Sequence, residues 1–203
     1  MVYCSKDDVK GFSKIGYADL GYADDAAFNT FLDSLIVLAQ GIVENYCNVP
    51  ISFFDADGKA LTNQLFDYRY PWVDLTYYPV LSVEKVEYNT QGYGISPSWT
   101  EMTEPDYIIV KERGQLMLVN KTPAIVEQSV RVCYTAGYSA VPDPVKHVCI
   151  QVCSNILHIV LQRKISPTVR VDDWTLKMVI PDAFSRELQT MLAPYIRKTV
   201  SVG

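Results

Sequence analysis

Apolar residues between positions 24 and 50 recur every three to four places, which predicts one long amphipathic helix. Phe28, Phe31, Leu32, Leu35, Ala39, Ile42, Val43 and Tyr46 fall on its apolar side. Asp24 precedes it as a cap, and Asn48 and Pro50 stop it. Gly41 weakens the helix locally and leaves room for close packing. A short helix is expected upstream in "SKDDVKGF", capped by Ser5 with acids in its first turn. The Gly/Tyr-rich stretch "IGYADLGYAD" between them reads as a loop.

From about Ile51 to Gly137 the pattern changes to short strands and turns. In "VLSVEKVEY", Leu81, Val83 and Lys85 alternate with Val80, Ser82, Glu84 and Val86. "DYIIVKERGQLMLVN" predicts a hairpin closed around Glu112-Arg113-Gly114, and "SVRVCYTAG" a further strand. Pro71, Pro79, Pro97, Pro105 and Pro123 fall between these runs, where strands should end. A third helix follows, with Asp143 as its cap and Pro144 in its first turn, running to about Arg163. Its predicted apolar face is Val145, Val148, Val152, Ile156 and Val160 with Cys149 and Cys153. "TVRVDDWTLKMV" alternates again, and Asp172-Asp173 can turn it into a two-stranded hairpin. The last helix is expected to open at Pro181 and to be lined by Phe184, Leu188, Leu192 and Ile196. The fold class is therefore α+β. A small helical bundle, residues 1–50 and 138–203, carries an inserted antiparallel β unit, residues 51–137, in effectively one subunit.

Composition narrows the function. The 203 residues suit one domain with a sizeable insertion and can bury a core without metal or disulfides. Fourteen tyrosines favour β-structure and interfaces. A net charge of −5 argues against a tight grip on nucleic-acid phosphates. The start "MVYCSKDD" lacks the pattern of a secretory signal. The most apolar stretch, near residues 145–161, is interrupted by polar residues every three or four positions, so no membrane span is expected. Five cysteines with no framework spacing read as reduced, buried thiols in a cytoplasmic setting.

Candidate chemistry fails on geometry or spacing. Gly137-Tyr138-Ser139 is half of a nucleophile elbow, but Val141 stands where its second glycine belongs. One glycine and a proline-initiated helix also make a poor phosphate loop. His147 and His158 lie about 20° apart around a helix, whereas Cys149 and Cys153 lie about 200° and 240° from His147, so no zinc site is expected. In "FFDADGKALTNQ" the first and last ligand positions of a calcium loop would be Phe53 and Gln64, and a tight turn is the simpler reading. Asp7-Asp8 and Asp24-Asp25 sit at helix starts, where acids stabilise the dipole. No catalytic, metal or cofactor residue is expected. An enzyme would have to assemble its site from scattered groups such as Asp67, Tyr68, Arg69 and His147.

Three phrases carry a resemblance: "DDAAFNTFLDSLIVLAQGIVENYCNVP", "VRVCYTAGYSAVPDPVKHVCIQVC" and "MLAPYIRK". Across residues 5–50 and 130–198 the chain resembles the head–tail connector (adaptor) proteins of long-tailed phages, in the longer form with a β insertion. It departs from them at the end of the third helix, where "LHIVLQRK" lacks the family's aromatic and Asn-Arg pair. The resemblance implies a non-enzymatic virion protein, assembled in the host cytoplasm and located in the neck between portal vertex and tail. It implies a homo-oligomeric, dodecameric ring under the portal protein, docking a stopper or tail-completion protein. Genomic DNA would pass through the channel without sequence-specific binding. Another neck component, a stopper or head-completion protein, is the alternative. Val169, Val171, Trp174, Leu176 and Met178 are the candidate partner contacts, because an exposed Trp among aliphatics suits an interface anchor, and a strand added to the subunit's own sheet is the alternative reading of this segment.

Overall fold

In the computed structural model, which describes residues 3–165, 170–171, 174–175 and 183–197, helices start where side chains can cap them. Ser5 Oγ accepts from Asp8 N at 3.0 Å and the Asp8 carboxylate accepts from Ser5 N at 2.9 Å, opening α1 (Lys6–Ser13). Asp24 Oδ1 accepts from Ala27 N at 2.8 Å and opens α3 (Asp25–Cys47), which Asn48 closes in the left-handed conformation. Between them the expected loop contains one helical turn, α2 (Tyr17–Leu20). It forms because Asp19 accepts from Gly16 N at 2.8 Å and Gly21 takes a positive φ at its end.

The chain divides into two units, one built from Met1–Asn48 with Val141–Ile196 and one from Val49–Ala140 with Arg197–Gly203. The first unit is helical. Phe28, Leu32, Leu35, Ile36, Ala39 and Val43 of α3 are buried in it. So are Val145, Val148, Val152 and Leu157 of α4 (Asp143–Ile165). Lys10 pairs with Asp25 at 2.7 Å, Lys6 with Asp33 at 3.0 Å and Lys146 with Asp8 at 3.1 Å, so charged pairs link α1 to both long helices. The Tyr3 hydroxyl donates to the buried Glu44 carboxylate. α3 and α4 are long and apolar enough to cross a membrane. Here each buries one side in the helical core and exposes polar residues such as Asp33, Asn45 and His147 on the other.

Three expectations for this unit need correction. Ile156 is only half-buried and Val160 is exposed, whereas Leu157 is fully buried. The buried stripe of α4 therefore runs through Cys149, Val152, Cys153 and Leu157, and even Ser154 is covered. The last helix is also shorter than the apolar spacing suggested. α5 spans Arg186–Leu192, after an extended Ser185, and Pro194 without its N–H leaves only a 3-10 turn, Ala193–Tyr195. Leu188 and Leu192 are buried as expected, Phe184 stacks edge-on against Tyr46, and Ile196 is extended. Pro181 lies outside the described residues. Gly41 is exposed, and a Cβ there would meet nothing within 4 Å, so it serves no close packing in the described subunit.

Among the described residues the second unit holds seven strands in two antiparallel sheets. β1 (Lys59–Phe66), β7 (Val130–Ala136), β3 (Val80–Asn89) and β4 (Trp99–Met102) form one, in the order β1-β7-β3-β4. β2 (Trp72–Asp74), β6 (Gln115–Leu118) and β5 (Tyr107–Val110) form the other, in the order β2-β6-β5. The expected hairpin closes through Lys111–Gly114, with Gly114 at φ 62° and Val110 opposite Gln115. All five prolines fall outside strands. The ladder of β3 with β7 slips between Val80 and Ser82 and again between Val83 and Lys85. The period-two alternation fails beyond these slips, where the neighbours Val86 and Glu87 are both buried.

Glu87 is satisfied by charge. It stands opposite Arg131 and Glu101. Arg131 Nε donates to its carboxylate at 2.7 Å, Lys85 Nζ lies 2.9 Å away, and the Arg131 guanidinium covers the Trp99 ring at 4.6 Å. The hydrogen bond from Arg131, more than the one from Lys85, holds the Glu87 pKa below the usual carboxylate value.

Two stability measurements check this packing. Leu157→Ala is expected to cost about 2–5 kcal/mol, against under about 0.5 kcal/mol for Val160→Ala. Equal losses in a denaturant titration would overturn the assigned helix face. Glu87→Gln should cost about 1–3 kcal/mol at neutral pH. Because folding lowers the Glu87 pKa, its contribution is full above the unfolded value of about 4.3 and is lost as pH falls through the lower folded value. The gap between wild type and variant should therefore close in acid, and a gap independent of pH would exclude this carboxylate as its source.

Candidate functional site

The most distinctive stretch, "YTAGYSAVPDP", is a backbone crossing. Gly137 has φ 133°, and a Cβ there would stand 2.4 Å from the Phe53 carbonyl oxygen and 2.9 Å from Gly58 Cα. Gly58 has φ 64°, and its Cβ would stand 2.7 Å from the Ala136 carbonyl oxygen. The turn that delivers Gly58, closed by Gly58 N donating to Asp55 O at 2.9 Å, is the tight turn expected in place of a calcium loop. Aromatic rings surround the crossing. Tyr138 stacks on Phe54 at 5.7 Å and meets Phe53 edge-on at 6.2 Å. The Tyr134 hydroxyl accepts from Tyr77 N at 3.3 Å, and burial pushes its pKa well above the usual tyrosine value. Arg197 donates to Tyr78 O at 2.9 Å and to the Tyr138 hydroxyl at 3.1 Å, and its guanidinium covers the Tyr78 ring at 4.2 Å. Ser139 is exposed beyond this cluster. A side chain held for chemistry would need a positioned base beside it. The residues gathered here pack instead.

The scattered enzyme candidates divide between the units. Asp67 and Arg69 line a cavity of about 130 Å³ with Asp74, Thr76 and Glu127. Asp67 Oδ1 accepts from Gln128 N at 2.8 Å, so it shapes the adjoining loop. The Tyr68 hydroxyl is buried with no partner among the described residues, and burial raises its pKa. His147 belongs to the helical unit, exposed on α4 with its ring edge-on to Phe12 at 5.9 Å.

Cys149 and Cys153 point into the helical core, away from His147. Cys4 joins them: the three sulfurs lie within 4.8 Å of one another, and Cys4 and Cys149 Sγ are 3.5 Å apart. Sequence spacing had no signal for this, since Cys4 is 145 residues from Cys149. Cys133 sits in β7 and its Sγ accepts from Asn63 N at 3.2 Å.

Of the expected partner contacts, Val171 and Trp174 are paired. β8 (Arg170–Val171) and β9 (Trp174–Thr175) form an antiparallel ladder in which Val171 faces Trp174 and Arg170 faces Thr175. Val169, Leu176 and Met178 lie outside the described residues. A second apolar feature went unnoticed in the sequence. Val37 and Leu38 are 63% and 54% exposed on α3 and share its outer side with Ser34, Gly41 and Asn45. The helical period could have found it, because Val37 and Leu38 fall off the stripe that the buried residues define.

No family model and no curated protein matches the chain. Among solved structures it is similar to a chain described as "Neck of empty GTA particle computed with C6 symmetry", at a TM-score of 0.45 and 16% identity, over 89% of this chain and 83% of that one.

Proposed function

We propose that the chain is a structural subunit of a tailed virus's neck, a head–tail connector. It forms a homo-oligomeric ring under the portal, extends the DNA channel and docks a stopper or tail protein. The resemblance in residues 5–50 and 130–198 supplies the class. The observation that carries the reading to assembly is the outer strip of α3. Val37 and Leu38 stand mostly in solvent beside the open Gly41, which would let a partner's backbone approach closely. Burying two such side chains stabilises an association by about 1.5–3 kcal/mol each when fully covered. Polar residues with structural partners fit this role. Asp8, Asp24, Asp25 and Glu87 cap helices or pair with bases. The net charge of −5 suits a channel wall along which DNA slides without being gripped.

Two variants test the proposal by native mass spectrometry with portal rings of the same virus. Val37→Asp with Leu38→Asp should leave circular dichroism and melting temperature close to wild type while ring closure on the portal is lost. Unchanged assembly would reject the α3 strip as a contact. Trp174→Ala with Leu176→Ala probes the hairpin segment. Retained melting temperature with lost portal binding is expected. A much lower melting temperature with assembly preserved would assign the segment to the subunit's own core.

A further inference from the structure

We propose that Cys4, Cys149 and Cys153 form a three-thiolate site for one soft divalent cation of the zinc class. The sulfurs come from two places in the fold. Cys149 and Cys153 stand one turn apart on α4, so both project from one side of the helix. Cys4 precedes the Ser5 cap of α1 and brings the third sulfur from the chain's first residues. All three side chains are buried, at 3% exposure or less.

Dimensions and chemistry both suit such an ion. A zinc–sulfur bond of about 2.3 Å places three coordinated sulfurs about 3.8–4.0 Å from one another, depending on how flat the site is. Here the three lie within 4.8 Å, with Cys4 and Cys149 Sγ 3.5 Å apart, so small side-chain rotations close the site around a metal. Among the described residues no fourth cysteine, histidine or carboxylate joins the group, which leaves one coordination position for water or a small ligand. Thiolates select soft ions, and among the described residues no carboxylate joins the three sulfurs to favour magnesium or calcium. Binding converts three thiols and M²⁺ into a tris-thiolate complex of net charge −1, with three protons released. Lys146 and Asp8, paired at 3.1 Å, both act on the site and oppose each other there, so its charge balance is set by the thiolates and the cation.

The two remaining cysteines provide internal controls. Cys47 is buried elsewhere on α3, and Cys133 belongs to the β unit. The probe is Cd²⁺, added to the full-length reduced protein both in its native state and during refolding from denaturant. Expected are one equivalent bound, a thiolate-to-cadmium charge-transfer band in the ultraviolet, and a higher melting temperature. Both signals should vanish in Cys4→Ala and in Cys153→Ala, and persist in Cys133→Ser. Zn²⁺ should displace the cadmium band when added in excess. Absence of the band in both native and refolded wild type overturns the proposal. So does its persistence in either alanine variant with native circular dichroism, or its loss in Cys133→Ser. Should Cys4→Ala fail to fold, Cys153→Ala decides by the same criteria.

Discussion

The β unit depends on two glycines whose backbones nearly touch. Gly58 ends the turn that feeds β1, and Gly137 ends β7. The first residue of β1, Lys59, pairs with Ala136, the last residue of β7. Val80, the first residue of β3, also pairs with Ala136, and Gly137 N donates to Pro79 O at 2.9 Å. Three strands are therefore registered at a single point. A one-residue slip in a strand exchanges its two faces, so fixing this point fixes which side chains of β1, β7 and β3 are buried. The second sheet is tied in close by: Val80 N donates to Lys111 O at 2.8 Å, and Lys111 Nζ donates to Leu81 O.

Tyrosine suits the surroundings of such a crossing. Close backbone approach leaves carbonyls and amides that need partners, and a tyrosine buries a ring while its hydroxyl still reaches one of them. Tyr134 does so for Tyr77 N, whereas the Tyr138 hydroxyl accepts from the Arg197 guanidinium. Arg197 extends the same logic. Its guanidinium lies over the Tyr78 ring and donates to that residue's carbonyl, so its charge is shared among oxygens and an aromatic face. The tyrosine-rich composition thus has a local structural cause in addition to any partner surface.

What could be read in the sequence followed from local rules. α1, α3 and α4 announce themselves through caps and a helical period, and the β5–β6 hairpin through its glycine turn. Features set by distant residues stayed hidden. β1 reads as polar because Thr62, Asn63 and Gln64 dominate its middle, yet it pairs with β7 across a register shift. α5 carries a longer apolar period than its backbone can use, because Pro194 lacks the N–H that an α-helix requires. On α4 the period was correct, but the buried stripe is centred nearer Leu157 than Ile156, a rotation that only neighbouring elements define. The three-sulfur cluster was hidden for the same reason: two of its members share a helical turn, and the third comes from before α1.

The helical unit shows why an apolar helix face can carry assembly without destabilising the subunit. α3 keeps its fold through Phe28, Leu32, Ile36 and Val43 on the inner side, and through ion pairs from Lys6 and Lys10 near its start. None of these contacts involves Val37 or Leu38. The outer strip can therefore evolve toward a partner while core and caps hold the helix in place. Exposure of two large aliphatic side chains is ordinary when they are scattered. On α3 they adjoin each other, with serine and glycine one turn to either side, so the strip presents a flat surface whose loss from water favours association. The caps and ion pairs hold the helix without drawing on the outer strip of α3, so the polarity of that strip is not constrained by the subunit's own fold.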